Sequence, residues 1–432
     1  MSLGSRLSGV LADTRPLAEP HFRRLWTAQI ITVIGAQLTV VAVPAQIYAD
    51  TGSSAYVGLT GVFGLVPLVI FGLYGGALAD HLDRRTLLMV STCGLIATSA
   101  LFWLQSAVGS TNVWLLLCLF AVQQAFFAVN QPTRSAVLPK LFPAHLLPAA
   151  NSLSMTVVQF GAIAGPLVAG ILIPITGYTW MYLIDTCTLF ATLYAVVLLP
   201  GMPVEGAQQG APGLRSVWEG IAYLRDKPVL LMSFVVDLIA MIFGMPRALF
   251  PEIAHLSFHG PKDGGIAFAL LYAAIPAGAV VGGVFSGWIS RVERQGRVVL
   301  WCIAVWGLGI VGFGLSVAVA DRVGFTGVML GLGLLFMVVA GAGDVASAAI
   351  RSAMLQSAAD DNVRGRLQGV FTVVVAGGPR IADVVHGGAA AVVGTAAATT
   401  GGGGLVLVGI ALCALLVPSF VRYRVGRPSS AV

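Results

Sequence analysis

Long apolar runs separated by short polar segments dominate the chain. The first run extends about from Phe22 to Tyr48. A helix needs about 20 consecutive apolar residues to cross the hydrocarbon core of a bilayer. The pattern therefore predicts about twelve membrane-spanning helices, in two halves of about six each. The predicted spans are 22–48, 55–79, 86–108, one beginning near 112, 151–175, 178–199, one from 228 to 251, 265–290, 298–318, 324–350, 368–393 and 401–421.

Residues 200–213 interrupt this pattern, because they hold Gly, Pro and Gln and no large apolar run. Apolar side chains then recur at helical spacing from Leu214 to Leu224, with charged residues between them. An amphipathic helix of this kind suits the plane of the membrane interface. The predicted organisation is a cytoplasmic tail (1–21), an N-terminal six-helix bundle (22–199), a cytoplasmic linker with the amphipathic helix (200–227), a C-terminal six-helix bundle (228–421) and a basic cytoplasmic tail (422–432).

Composition makes lipid the main solvent of this protein. Of the 432 residues, 57% are hydrophobic and only 10% are charged, and the mean hydropathy is +0.90. A soluble domain carries about 25% charged residues. The predicted fold class is an all-α polytopic membrane protein, and the 53 glycines fit helices that pack through small residues.

The basic residues predict the orientation. With a cytoplasmic N-terminus, one face of the membrane receives only Lys262 and Arg322. Lys and Arg concentrate in cytoplasmic loops, so both termini should be cytoplasmic. The net charge of +6 is explained by this asymmetry and gives no reason to expect a nucleic-acid partner. The basic residues of the cytoplasmic face are Arg23, Arg24, Arg84, Arg85, Lys140, Arg215, Arg225, Lys227, Arg291, Arg294, Arg297, Arg364, Arg366 and the C-terminal arginines.

Several classes of chemistry find no support in the sequence. The five cysteines lie inside apolar runs without metal-ligand spacing, so no metal site is expected. Neither a Walker lysine motif nor a hydrolase or metalloprotease motif is present, so neither an enzyme nor an ATP-driven pump is expected. The first twenty residues lack an apolar core, so the first span is expected to target the chain to the membrane.

A polar loop separates the second and third spans. Its sequence from Gly75 reads GGALADHLDRR, with two glycines, two carboxylates and two guanidinium groups. The second half has a related pattern, in which Gly282, Gly283 and Gly287 precede Arg291. With Gly287 set on Gly76, Arg291 stands where Asp80 does, so the second copy is degenerate.

The pattern Gly76-xxx-Asp80-xxx-Arg84-Arg85 resembles the loop signature of the major facilitator superfamily. His81 and Asp83 depart from it, since the family usually has a basic residue and a glycine there. The resemblance implies a gate in which Gly76, Asp80, Arg84 and Arg85 clamp the bundles, with Arg134 as a partner of Asp80. The alternative is that Arg84 and Arg85 only set topology. Arg247 is a candidate cation of an outer gate.

A second resemblance lies on the fifth span. Gly161, Gly165, Pro166 and Gly170 are similar to the glycine-proline signature of the superfamily's antiporters. The resemblance implies export, whereas plain helix packing would explain the same residues.

Three further segments resemble bacterial exporters of the enterobactin-exporter type. They are LYAAIP from Leu271, VPAQI from Val43 and GRLQG from Gly365. That branch includes siderophore exporters and multidrug efflux pumps of actinobacteria. The resemblance implies a proton antiporter of the bacterial cytoplasmic membrane that is powered by the proton gradient without a cofactor. The substrate would bind between two pseudo-symmetric bundles.

Ionisable residues within spans are expensive and usually functional. The second half holds Asp237, Asp344, Asp383 and a row formed by Arg380, Asp383 and His386 at intervals of three. The row shares one helix face and is expected to line the cavity with paired charges; a structural Arg380–Asp383 salt bridge is the alternative. Asp237, as a lone deep carboxylate, Asp383 and Asp344 are the candidates for proton coupling, because burial penalises the charged form of a carboxylate.

Amides on the spans of the first half are further candidates. Gln29, Gln37 and Gln46 lie on roughly one face of the first span, where substrate contact and interhelical hydrogen bonding both remain open. The candidate cavity residues are Gln37, Gln123, Gln124, Asn130, Gln159, Arg380 and His386.

The sequence therefore predicts a monomeric transporter that moves a siderophore or an amphiphilic drug, with protons and the lipid bilayer as its other partners. An uncoupled facilitator or importer is the alternative within transport. A non-transporting membrane scaffold or sensor is the alternative from another class. The sequence leaves the substrate, the stoichiometry and the resting conformation open.

Overall fold

A computed structural model describes residues 13–143, 146–202, 222–225, 227–323, 325–358 and 364–424, without the side chains at 73–81, 290, 356–358 and 364–373. The described chain is built on twelve long helices. They are α1 (Pro20–Thr51), α2 (Ser54–His81), α3 (Arg84–Ala107), α4 (Val113–Leu141), α5 (Leu147–Thr176), α6 (Tyr178–Val197), α7 (Pro228–Gly244), α8 (Ile266–Val284), α9 (Gln295–Val323), α10 (Thr326–Ala358), α11 (Arg364–Val393) and α12 (Thr395–Leu416).

Shorter helical segments join or extend these helices. After α7 the chain makes a 3₁₀ turn over Arg247–Leu249, and a π-helical turn over Ile253–Ser257 follows. The predicted eighth span ends as an α-helix at Val284 and continues as a 3₁₀ helix over Ser286–Arg291. A turn over Pro418–Arg422 follows α12.

Local chemistry explains where several helices begin and end. Asn112 caps α4 by accepting hydrogen bonds from the backbone N–H groups of Trp114 and Leu115. Gly52, at φ 67°, ends α1 in the left-handed conformation that glycine adopts without strain. Asp83 caps α3 through a hydrogen bond from the Arg85 N–H at a negative φ. A glycine is therefore unnecessary at position 83, where the family usually has one.

Eleven helices in the described part of the chain are long and apolar enough to cross a membrane. The exception among the twelve is α11, whose described part carries Pro379, Arg380, Asp383 and His386. Large apolar side chains elsewhere face outward, as expected when lipid is the solvent. The prediction of an all-α polytopic membrane protein is confirmed.

The two halves repeat one packing pattern. In the first half α1 packs on α5 and α6, α2 on α4, and α3 on α4 and α6. In the second half α7 packs on α11 and α12, α8 on α10, and α9 on α10 and α12. Adding six to each helix number converts the first set of contacts into the second. The predicted pseudo-symmetry is therefore present in the packing.

The halves meet mainly through α2 against α11 and α5 against α8. Glycines bring these backbones together, since a Cβ at Gly61 would overlap the carbonyl oxygen of Arg380. A Cβ at Gly170 would overlap Ala269 of α8. The other helix-5 glycines face α1: Gly161 packs on Val33 and Gly165 on Gln37.

One face of the molecule joins the two halves through polar contacts. Here "outer" denotes the face that the charge asymmetry predicts to be extracytoplasmic. Lys262 Nζ donates to the Ala49 carbonyl oxygen over 2.5 Å, and the Ser54 N–H donates to Glu252 Oε2 over 3.2 Å. The Tyr178 hydroxyl donates to the Asp263 carbonyl oxygen over 3.3 Å. The outer ends of the bundles are therefore tied together in this conformation.

The predicted amphipathic helix lies largely outside the described residues, which include only 222–225 of its C-terminal part, in helical conformation. The end of each tail lies outside them too. The predicted domain boundaries remain predictions.

Close packing of α8 on α10 generates a stability prediction. A Cβ at Gly278 would overlap the Val338 carbonyl oxygen, whereas a Cβ at Gly283 would meet nothing within 4 Å. We expect Gly278→Ala to lower the free energy of unfolding by about 1–3 kcal/mol through overpacking. Gly283→Ala, the matched control on the same helix, should be neutral or stabilise by up to about 1 kcal/mol. Thermal unfolding in detergent measures both, and equal effects of the two variants would contradict the packing.

Candidate functional site

A small cavity of about 50 Å³ lies between the two halves. Helices α1, α2 and α4 contribute its N-terminal side, while Arg247, Ala248, α8 and α11 contribute the other. Its lining is Val40, Val43, Pro44, Val57, Thr60, Phe120, Gln124, Arg247, Ala248, Tyr272, Arg380 and Asp383. The central cavity thus combines apolar and aromatic walls with a few converging polar groups, as ligand sites commonly do.

Arg380 of α11 reaches across the central cavity to the other half. Its guanidinium donates a 3.0 Å hydrogen bond from Nη2 to Gln124 Oε1 on α4. The guanidinium carbon also lies 5.3 Å from the ring centroid of Phe120, one helical turn away, in cation–π geometry. Gly64 of α2 leaves room for this arrangement, because a Cβ there would meet the guanidinium. Arg380 therefore links the two bundles at the cavity.

Asp383 forms its ion pair with Arg247. Arg247 Nη2 lies 2.8 Å from Asp383 Oδ2, and the side chains are 28% and 4% exposed. The predicted pairing of Asp383 with Arg380 is therefore wrong, because Arg380 is directed to Gln124. The 3₁₀ turn after α7 places Arg247 beside the cavity. Asp383 Oδ1 is buried without a hydrogen-bond partner.

His386, the third member of the predicted row, points elsewhere. Its Nε2 lies 3.0 Å from the carbonyl oxygen of Phe243 on α7. A carbonyl only accepts, so Nε2 carries the proton and donates it. His386 is buried within the C-terminal bundle and does not line the central cavity. The row is therefore divided among three partners instead of forming one paired line.

A second buried charge cluster lies within the C-terminal bundle. Arg351 Nη1 of α10 lies 2.7 Å from Asp237 Oδ2 of α7, and both side chains are almost fully buried. Arg351 Nε also donates to Ser347 Oγ over 3.2 Å. Asp344 lies two turns before Arg351 on α10. Asp237 is consequently paired, which corrects its description as a lone carboxylate.

The amide candidates separate into different environments. Gln124 lines the central cavity, whereas Asn130 donates to Ser91 Oγ at 2.9 Å and Thr92 Oγ1 at 3.2 Å inside the N-terminal bundle. Asn130 is thus an interhelical contact and is removed from the cavity set. The half-buried residues Gln37, Gln123 and Gln159 are not part of the cavity lining.

The predicted gate lies partly outside the described part of the chain, because the side chain of Asp80 is not described. Gly76 lies within α2. Arg134 donates to Gln29 Oε1 over 2.7 Å and to the Leu25 carbonyl oxygen over 3.3 Å. Its contact with Asp80 remains a prediction.

The gate loop contacts the end of α6 and the residues that follow it. Arg85 Nη2 donates to the Val197 carbonyl oxygen over 2.6 Å, and Asp83 Oδ1 accepts from the Met202 N–H over 3.2 Å. Arg84 Nε is buried without a hydrogen-bond partner. Arg85 thus ties this loop to its own bundle.

Three residues of these clusters escaped the sequence analysis. Arg351 follows the predicted tenth span, whose apolar run ends at Ile350, although α10 continues to Ala358. Extending the predicted tenth helix past the end of its apolar run would have placed Arg351 on that helix. Phe120 and Tyr272 were indistinguishable from ordinary core aromatics, and only the packing places them at the cavity.

Comparisons with known proteins agree on one family. The model of the Major Facilitator Superfamily matches residues 25–382. The chain is 28% identical over 401 residues to the enterobactin exporter EntS of Citrobacter koseri, with 92% of each chain covered. It is 27% identical over 372 residues to EntS of Shigella dysenteriae serotype 1, with 85% of each chain covered.

Solved structures share the fold at low sequence identity. The POT family transporter PepTSo superposes with a TM-score of 0.70 at 15% identity, covering 94% of this chain and 99% of its own. A bacterial homologue of the human lysosomal transporter Spinster, in an inward-facing conformation, gives 0.69 at 14% identity and covers 94% and 100%. These likenesses concern the fold alone.

The Arg247–Asp383 pair generates a prediction that separates structure from function. Arg247→Met leaves a buried carboxylate unpaired, and breaking a fully buried pair costs about 3–5 kcal/mol. We expect a loss toward the lower figure, because Arg247 is 28% exposed. The double variant Arg247→Met/Asp383→Leu should recover most of the thermal stability in detergent, because both charges are removed.

The control is Arg15→Met, which breaks the exposed Arg15–Asp13 pair and should change stability little. The double variant should also lose transport in proteoliposomes while remaining folded. Normal transport by that variant would show that the Arg247–Asp383 pair is a purely structural salt bridge.

Proposed function

The chain belongs to the Major Facilitator Superfamily of membrane transporters, and from this premise we propose that it exports a siderophore-like molecule in exchange for protons. The observation that carries the proposal is the central cavity between the halves, where Arg247, Asp383, Arg380 and Gln124 converge. Alternating access at a site between two bundles is the mechanism that such a fold supports.

The chemistry of the cavity favours an aromatic substrate that bears hydroxyl groups. Phe120 and Tyr272 offer ring faces, and the two arginines can donate to phenolic oxygens. The carboxylate of Asp383 can accept from a phenolic O–H. The relatives named enterobactin exporters support a siderophore over an amphiphilic drug. A cationic drug would meet two guanidinium groups and one carboxylate, which disfavours its binding.

Substrate entry requires a larger space than this conformation provides, since the cavity measures about 50 Å³. The outer ties through Lys262, Glu252 and Tyr178 must break for release to the outside. A substrate that takes over the hydrogen bond between Arg380 and Gln124 would loosen one link between the halves. Binding energy can thereby shift the balance between the two conformations.

Proton exchange follows from the role proposed for Asp383. Its ionised carboxylate accepts a charge-assisted hydrogen bond from the substrate, whereas the protonated acid is a weaker acceptor. Substrate affinity should therefore be high when Asp383 is ionised and should fall as the pH decreases, which is the sign that antiport requires. Asp237 and Asp344, beside Arg351, are further candidates for the proton path.

The protein would act as a monomer in the bacterial cytoplasmic membrane, with both termini in the cytoplasm. The Gly161, Gly165, Pro166 and Gly170 motif would favour the export direction. Gly76, Asp80, Arg84, Arg85 and Arg134 would form the cytoplasmic gate.

The experiment is counterflow and pH-gradient-driven transport in proteoliposomes, with enterobactin and a panel of amphiphilic drugs. Wild type should move enterobactin uphill in exchange for protons, and its substrate affinity should fall on acidification. Asp383→Asn should weaken binding about 10-fold, equivalent to one charge-assisted hydrogen bond of about 1.4 kcal/mol, and should flatten the pH dependence. Asp237→Asn and Asp344→Ala test the second cluster in the same assay.

The matched control is Asp13→Asn, whose carboxylate is paired with Arg15 outside the membrane-spanning helices. Binding that strengthens on acidification would contradict exchange and indicate cotransport of proton and substrate. Flux without a pH gradient effect would indicate an uncoupled facilitator. Absence of any flux across the panel would favour a scaffold or sensor.

A further inference from the structure

A buried acid lies inside the N-terminal bundle, away from the central cavity. Asp185 of α6 is 1% exposed. Its Oδ2 accepts hydrogen bonds from Thr39 Oγ1 of α1 at 2.7 Å and from Ser99 Oγ of α3 at 2.9 Å. Its Oδ1 is buried without any hydrogen-bond partner. Three helices therefore enclose a carboxyl group that has one oxygen left free.

The surroundings of Asp185 differ from those of the other deep acids. Asp237 and Asp383 each have an arginine within 3 Å, whereas hydroxyl groups are what contact Asp185 in the described part of the chain. Thr39 of α1 and Ser99 of α3 donate to it, and Thr186 of α6 donates to Ser99. The titratable group beside it is Tyr182 of α6, and Asp50 at the outer end of α1 lies nearer to Tyr182 than to the carboxyl group itself.

An ionised carboxylate in this position is costly. Burial without a cation penalises the charge, and neutral hydroxyl donors compensate only in part. A proton placed on Oδ1 removes the charge and leaves both hydrogen bonds to Oδ2 intact. The geometry therefore suits a group that changes its protonation state.

A row of polar side chains leads from Asp185 toward the outer face. The Tyr182 hydroxyl donates to Gln46 Oε1 over 2.8 Å, and Gln105 Nε2 donates to the same oxygen over 3.1 Å. Beyond them Ser106 and Thr179 share a 2.8 Å hydrogen bond near the outer ends of α3 and α6. Polar side chains therefore lie at intervals between Asp185 and the outer end of the bundle.

The row continues on the cytoplasmic side of Asp185. Thr32 Oγ1 lies 2.6 Å from Thr192 Oγ1 and donates to the Thr188 carbonyl oxygen over 3.2 Å. Gln29 and Arg134 follow, and both line a separate cytoplasmic cavity. Polar groups therefore extend across the bundle on both sides of Asp185.

Asp185 is also in direct contact with a helix that lines the central cavity. A Cβ at Gly35 of α1 would overlap Thr188 Oγ1 and the backbone of Asp185. The same helix presents Val40 and Val43 to the central cavity. A change of charge at Asp185 would therefore act on the contact between α6 and α1, and through α1 on the site.

We propose that Asp185 is a second proton-binding site, inside the N-terminal bundle, that is loaded through this polar row and acts on the substrate site through α1. The proposal rests on the proton exchange proposed above. It assigns Gln46 a place in the polar row. From the sequence, both substrate contact and interhelical hydrogen bonding remained open for this amide.

The test is infrared difference spectroscopy of the purified full-length protein in nanodiscs during a pH titration. Acidification should produce carbonyl stretches of protonated carboxylic acids, shifted in heavy water, and one component of this band should be lost in Asp185→Asn and retained in Asp383→Asn. Thr39→Val should move the midpoint of this band to higher pH, because the lost donor favoured the ionised form. If Asp185→Asn fails to fold, the shift of the band in Thr39→Val still tests the assignment to Asp185.

Transport measurements distinguish this proposal from the proposed function. A band that titrates in a protein without proton-driven flux would support the site and contradict proton exchange. Proton-driven flux with no band sensitive to Asp185→Asn or Thr39→Val would overturn the site and leave the exchange intact. A band that sodium suppresses at constant pH would overturn proton binding in favour of a sodium site.

Discussion

The structure depends on one constraint, which is that a bilayer offers no hydrogen bonds to a polar group. Every backbone polar group in the core must be satisfied within a helix, and every charged side chain must find a partner inside the protein. In the described chain the partners come from different elements: Arg247 meets Asp383, and Arg351 meets Asp237. These buried charges therefore also fix the positions of the helices that carry them.

This dual role explains how the halves are related. Arg380 connects α11 to α4 across the cavity, while glycines such as Gly61 bring α2 and α11 into backbone contact. A hydrogen bond between the halves is directional, whereas the glycine contacts depend on close approach of the backbones. An interface made of both can hold one arrangement firmly and still convert to another, which is the requirement for alternating access.

Much of the fold followed from the length of the apolar runs, because the thickness of the bilayer sets that length. The pairing of charges did not follow from it. Arg247 lies beyond a break in α7 at Met245 and Pro246, so no helical spacing relates it to Asp383. The surroundings of Asp185 did not follow either, because the hydroxyl groups that donate to it come from α1 and α3. Contacts between distant elements are invisible in a periodic pattern.

The low apolarity of α11 has a consequence for how the protein is made. A helix that carries Pro379, Arg380, Asp383 and His386 partitions poorly into lipid on its own. Arg247 and Phe243 precede α11 in the chain and are synthesised before it, and they supply the partners of Asp383 and His386 in the folded protein. Helices that are synthesised earlier therefore supply the polar partners of a later helix. Biogenesis of the second half depends on the order in which its segments emerge.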